Sequence, residues 1–190
     1  TAHRTMGSIM FGGRYRLIDF PLSNMVNSNF YEVGVITKSN YGSLLDHVGS
    51  GREWDLARKK GGLHLLPPFS QTGSREGVYK GRLEALNNVW SFLEHSKADY
   101  VVMSDCDFVT TIDFRPVIEQ HITTKADITT VYGKYIYNED NNSDSAINVL
   151  EMNEDGRITN VLVNPLISGE CNLSLDMFVM SREFLSKLVK

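Results

Sequence analysis

The chain has 190 residues, of which 42% are hydrophobic, 22% charged and 10% aromatic, with a formal net charge of −4. This balance excludes a disordered or fibrous chain, and at this length folding buries roughly 70% of the unfolded surface, enough for one core without metal or disulfide staples. The acidic balance argues against nucleic acid as a partner, and no apolar run approaches the ~18 residues that cross a bilayer, so a cytoplasmic protein with no membrane partner is expected. The only cysteines, Cys106 and Cys171, form no C-x-x-C pair, and no histidine lies at metal-ligand spacing, so neither a disulfide framework nor a zinc site is indicated.

The chain opens at Thr1 and soon reaches Phe11-Gly-Gly-Arg-Tyr-Arg16, where two glycines and two guanidiniums offer a close, bidentate grip on phosphate. An ordinary ion pair of Arg14 or Arg16 with Asp19 is the competing reading. Val33–Thr37 reads as a covered strand, and Gly61–Pro68 as an apolar, turn-rich stretch whose His64 is packed or superficial rather than catalytic. The glycine-rich Gly73–Gly81 precedes a helix over Arg82–Glu94, which carries Leu83, Leu86, Val89, Trp90 and Leu93 at helical spacing. Tyr100–Ser104 follows as a strand, Phe114–Thr124 as a helix and Ile128–Tyr132 as a strand, the alternation of a parallel α/β sheet. Asn138–Ser145 is a polar, acidic loop. Ala146–Met152 and Arg157–Val163 flank an Asp155-Gly156 reversal and predict an added β-hairpin. Asn172–Met180 returns as a strand before a helix that starts behind Ser181 and shows no stop signal. One domain over 1–190 is expected, incomplete at both ends.

Ligands of open α/β sheets bind beyond the carboxyl ends of the strands, so Asp105-Cys106-Asp107, directly after Ser104, is the first place to look for chemistry. Carboxylates there can hold Mg²⁺ against phosphates; the plainer alternative is that they cap a turn or the next helix. Neither cysteine has an activating base in sequence and no Gly-x-Ser-x-Gly elbow is present, so nucleophilic catalysis is unsupported.

Phe11-Gly-Gly-Arg-Tyr-Arg-Leu-Ile-Asp-Phe-Pro-Leu-Ser-Asn-Met-Val-Asn-Ser28 closely resembles the start of the glucose-1-phosphate adenylyltransferase (ADP-glucose pyrophosphorylase) family. His47–Leu56, Leu66-Pro67-Pro68 and Gly77-Val-Tyr-Lys-Gly81 follow in that family's order. The resemblance implies a nucleotide-sugar transferase domain with a Rossmann-like α/β core and a mixed, mostly parallel sheet. It also implies a left-handed β-helix domain beyond Lys190 and a nucleotide loop before Thr1. The family joins ATP to glucose 1-phosphate with release of pyrophosphate, using Mg²⁺. Carried over position by position, Tyr79, Gly81 and Ser174 fall at substrate-binding places. Arg4 and Arg16 fall at places that bind anionic effectors, with His3 replacing a lysine and Met10 a histidine.

The departures from the family pattern are sharper than the matches. Against Ser-Gly-Asp-His, the run Ser104-Asp105-Cys106-Asp107 puts a thiol where the metal-binding aspartate belongs, leaving Asp105 or Asp107 as the only substitutes on a strand whose successive side chains face opposite ways. Gly81-Arg82-Leu83-Glu84-Ala85 stands for Gly-Thr-Ala-Asp-Ala, and Val163-Asn164-Pro165 for Glu-Lys-Pro. Beside the retained Ser174, Asp176 replaces a small residue. No catalytic set is intact. The expectation is a catalytically impaired, regulatory glycogen-biosynthesis subunit of the kind found in some Gram-positive bacteria, partnering an active subunit in a hetero-oligomer, with a tetramer expected. The alternatives are an active adenylyltransferase using Asp105 or Asp107 for Mg²⁺, and a stand-alone sugar-phosphate sensor.

Overall fold

The computed structural model describes residues 5–38, 40–68, 81–137 and 147–189. The polar loop read at 138–145, and all of the glycine-rich loop except Gly81, lie outside them. A small hairpin opens the fold: β1 (Met10–Phe11) pairs with β2 (Tyr15–Arg16), and Gly12 and Gly13, at φ 59° and 76°, make the turn. A Cβ on either glycine would meet nothing within 4 Å, so here these residues turn the backbone. The hairpin is pinned by the rings of Phe11 and Tyr15 against Phe20, 5.3 and 6.2 Å between centroids.

Helix α1 (Asp19–Asn27) carries Pro21 in its first turn, where the missing N–H has no helical partner to lose. Its buried polar side chains reach across the fold. Asn24 donates from Nδ2 to the Thr110 carbonyl at 2.9 Å and accepts the Ile112 amide at 3.2 Å, while Ser28 Oγ accepts the Phe114 amide at 2.8 Å. These bonds hold the segment leading from residue 105 to the next helix.

Strand β3 (Glu32–Ile36) runs parallel to β4 (Gly62–Leu66), with α2 (Gly42–Val48) between them in sequence. The 61–68 stretch thus contains a strand where turns are expected from its Gly-Gly and Pro-Pro ends; those pairs bracket a five-residue apolar run that pairs with β3. The helix expected over 82–94 is two, α3 (Arg82–Asn88) and α4 (Trp90–His95), broken at Val89, whose ψ of 15° and burial to 3% exposure follow a weak helix-forming Asn-Asn pair.

The five-stranded sheet contains β5 (Tyr100–Ser104), β6 (Ile128–Tyr137), β7 (Asn148–Met152), β8 (Ile158–Val163) and β9 (Gly169–Ser181). Helix α5 (Phe114–Thr124), capped by Asp113 accepting the Arg115 amide, links β5 to β6. These two strands share a direction, as strand–helix–strand order predicts, but β9 lies between them and pairs antiparallel with both. The fold is therefore mixed α/β, with its parallel ladder at β3–β4 and antiparallel ladders around β9. The β7–β8 hairpin forms as read, closing through Gly156 at φ 77°.

Helix α6 (Arg182–Val189) starts where Ser181 Oγ accepts the Phe184 amide. Val33 and Ile36 of β3 pack against the buried clusters beneath α1, α5 and α6, so both sheets share one interior. Among the described residues, no helix is long and apolar enough to cross a membrane.

Candidate functional site

Three elements converge beyond the carboxyl end of β5: the strand end itself, the first turn of α3, and an irregularity in β9. Opposite β6, the ladder steps from Met177 paired with Val131 to Ser174 paired with Tyr132, leaving Leu175 and Asp176 as a bulge. Asp176 takes φ 54° there, a left-handed conformation in which Asp is among the commoner non-glycine residues. The Asp176 amide donates to Ser174 Oγ at 3.3 Å, and Asn148 Nδ2 lies 3.5 Å from Asp176 Oδ1. The bulge thus aims Asp176 at the end of β5.

There it meets Asp105 and Asp107, and one carboxylate oxygen from each of the three lies within 4.8 Å of the others. Inside this acidic group sits the guanidinium of Arg82: Nη2 is 2.5 Å from Asp105 Oδ2 and 2.9 Å from Asp176 Oδ2, and the cation lies 5.2 Å from the Phe178 ring centroid. Burial works against the Arg82 charge, yet its hydrogen bonds to the two aspartates hold its pKa above the usual arginine range.

Cys106 faces the other way. It packs against the cluster of Ile18, Leu22, Val35, Leu44, Val48 and Leu56, and a Cβ added to Gly7 would stand 3.6 Å from its sulfur. Burial, and then the charges of Asp105 and Asp107, push the thiol up to about 11, so it is neutral and unreactive at physiological pH.

Asp107 is raised from the ordinary carboxyl value of 3.8, first by loss of water and then by the Asp105 charge. A raised carboxyl pKa means that the folded state holds the proton more tightly than the unfolded one, so this group's contribution falls as pH rises through that window. Asp107→Asn therefore melts higher than the parent at neutral pH, and the difference vanishes below pH 3.8, as thermal unfolding across pH checks.

Of the other expected site residues, Gly81 precedes α3 and its carbonyl accepts the Ala85 amide, while Ser174 is 4% exposed and serves the Asp176 bulge. Arg16 donates through its guanidinium to the carbonyl and, at 3.0 Å, the hydroxyl of Ser43, and its amide donates to Asp19, which also contacts His47 at 2.6 Å. Tyr79 and Arg4 lie outside the described residues. Asn164, at the place of a charged sugar-binding residue in the family pattern, ties the open end of the β7–β8 hairpin by accepting the Ile147 amide at 2.8 Å.

Asp176 is the functional residue that sequence reading did not place at the site. A signal exists: a small residue becomes Arg82 at one family position and a small residue becomes Asp176 at another, two departures of opposite charge that together make an ion pair.

Residues 1–162 match the nucleotidyl transferase family. The chain belongs to that family. This nucleotidyl transferase domain is 37% identical over 183 residues to the glucose-1-phosphate adenylyltransferase of Thermotoga maritima, covering 96% of the chain and 42% of that protein. Over 132 residues, 70% of the chain and 38% of the relative, it is 41% identical to the glycogen biosynthesis protein GlgD of Bacillus subtilis. It spans under half the length of these relatives. Its fold matches that of HddC from Yersinia pseudotuberculosis with a TM-score of 0.70 at 10% identity, over 97% of this chain and 71% of that one. A Bacillus anthracis structure described as a glucose-1-phosphate thymidylyltransferase gives 0.71 at 15%, over 98% and 66%.

Nucleotidyl transferases generally use Mg²⁺, and Asp105, Asp107 and Asp176 could each offer one oxygen to such an ion. Two of these three carboxylates are already paired with Arg82, and Cys106, which the family resemblance sets at the ligand position, is turned into the core.

Proposed function

We propose that this domain belongs to a catalytically impaired, regulatory subunit of ADP-glucose pyrophosphorylase. It acts in glycogen synthesis in the cytoplasm by assembling with an active subunit that makes ADP-glucose from ATP and glucose 1-phosphate. The observation that carries the reading is the Arg82 guanidinium bonded to Asp105 and Asp176 in the place where a transferase needs a divalent ion beside phosphates. Two further features support it: Cys106 is turned into the core, and Asn164, which the family resemblance sets at a sugar contact, ties the open end of the β7–β8 hairpin. The 41% identity with the glycogen biosynthesis protein GlgD supports the pathway.

The complete subunit carries a β-helix domain beyond Lys190 and enters a heterotetramer. Mixing the full-length protein with a catalytic adenylyltransferase subunit tests this. The expected result is co-elution on size-exclusion chromatography and a changed kcat or KM for ATP in the mixture. Independent elution with unchanged kinetics overturns the regulatory reading and favours a stand-alone sensor.

A further inference from the structure

We infer that Arg82 is a tethered counter-ion, a side-chain cation that holds the position between Asp105 and Asp176 and excludes divalent metal from the carboxylates there. The inference deepens the functional reading above by naming what has replaced the ion, and it rests on geometry within this chain.

Three carboxylates with oxygens inside 4.8 Å of one another repel, and that repulsion is relieved by a cation among them. Arg82 supplies it at 2.5 and 2.9 Å, close to the shortest separations at which nitrogen and oxygen charges meet. The guanidinium is held from one further side by the Phe178 ring of β9, whose centroid lies 5.2 Å from it. Asp176 is aimed at it by a bulge that places a non-glycine residue at φ 54°, a conformation that costs free energy and persists only where the surroundings repay it. Among the described residues, the charged groups recorded at the guanidinium are Asp105 and Asp176 in direct contact, with Asp107 beside them. A metal ion would have to displace a covalently attached competitor whose effective concentration is that of a neighbouring side chain.

The test is titration of the full-length protein with Mn²⁺ alone, followed by the electron paramagnetic resonance signal of the free ion. The parent protein shows no saturable site at this position. Arg82→Gln gains one site per chain, at least about tenfold tighter than any binding by the parent, and the double variant Arg82→Gln/Asp176→Asn loses it again. Arg82→Lys, which keeps the charge, stays blind to Mn²⁺. The Arg82 side chain is 42% exposed, so the glutamine variant folds, and its melting temperature rises with Mn²⁺ whereas the parent's does not.

A saturable Mn²⁺ site in the parent that Asp176→Asn removes overturns the inference. So does a glutamine variant that gains nothing, or a lysine variant that gains a site. Turnover is a separate readout. ADP-glucose synthesis by a parent protein without an Mn²⁺ site would refute the functional reading and leave the counter-ion standing, and an inactive parent with such a site would do the reverse.

Discussion

Cys106→Asp, the change that restores the family's metal-binding residue type, yields a less stable protein and no detectable ADP-glucose synthesis. The side chain at 106 packs on the buried cluster that contains Ile18, Leu22 and Leu44, so a carboxylate introduced there enters the core instead of the site. The same burial and the same two neighbouring charges that push the Cys106 thiol up to about 11 act on any acid at this position. Burial of an unpaired acid in such a place costs about 2–3 kcal/mol, which lowers the melting temperature by roughly 5–10 °C. Cys106→Ser, of similar size and uncharged, shows a smaller loss. Calorimetry of the three proteins, with product assayed by chromatography, checks both halves. Substantial turnover from this single replacement would show that the thiol, and neither Arg82 nor the altered sugar contact, is what separates the chain from its active relatives.

Phe114→Ala has a larger effect on stability, with no change of charge. Phe114 is fully buried, stacks on Phe30 with centroids 6.1 Å apart, and shares a cluster with Met25 of α1 and Met177 of β9. Its amide is the one that Ser28 Oγ receives. Truncation leaves a cavity where three elements meet, and large-to-small changes at such aromatic positions cost about 3–5 kcal/mol. Because Met177 follows Asp176 directly and Phe114 ends the segment that begins at Asp105, the cavity also loosens both carboxylates that hold Arg82. The expected result is a midpoint about 6–20 °C lower, with faster amide exchange over 105–113. Phe114→Leu retains most of the volume and recovers more than half of the loss.

What the sequence discloses follows local chemistry. The helix at Phe114–Thr124 is legible to the residue because Asp113 caps it and its apolar face is regular, and the β7–β8 hairpin because Asp155-Gly156 supplies the φ above zero that the reversal needs. The β4 strand is hidden by turn-forming Gly-Gly and Pro-Pro pairs at its two ends, and β9 by its partners: nothing in Leu-Ser-Leu-Asp-Met-Phe says that the strand will lie between β5 and β6 and run against both.

The site divides in the same way. Asp105, Cys106 and Asp107 stand out because they follow a strand end, and their alternation predicts the opposite facing of the thiol and the acids. The bulge that brings Asp176 to them is a tertiary event, decided by the register of β6 against β9. Arg82 reads from sequence as a bulky obstruction. Its place between two carboxylates appears only once α3 and β9 are brought together.

The proposed regulatory role requires that this transferase fold not perform the transfer itself. Purified full-length protein, given ATP, glucose 1-phosphate and millimolar Mg²⁺, is expected to form no ADP-glucose above the rate without protein, and product is expected only once a catalytic subunit is added; steady, Mg²⁺-dependent accumulation from the single protein would overturn the proposal.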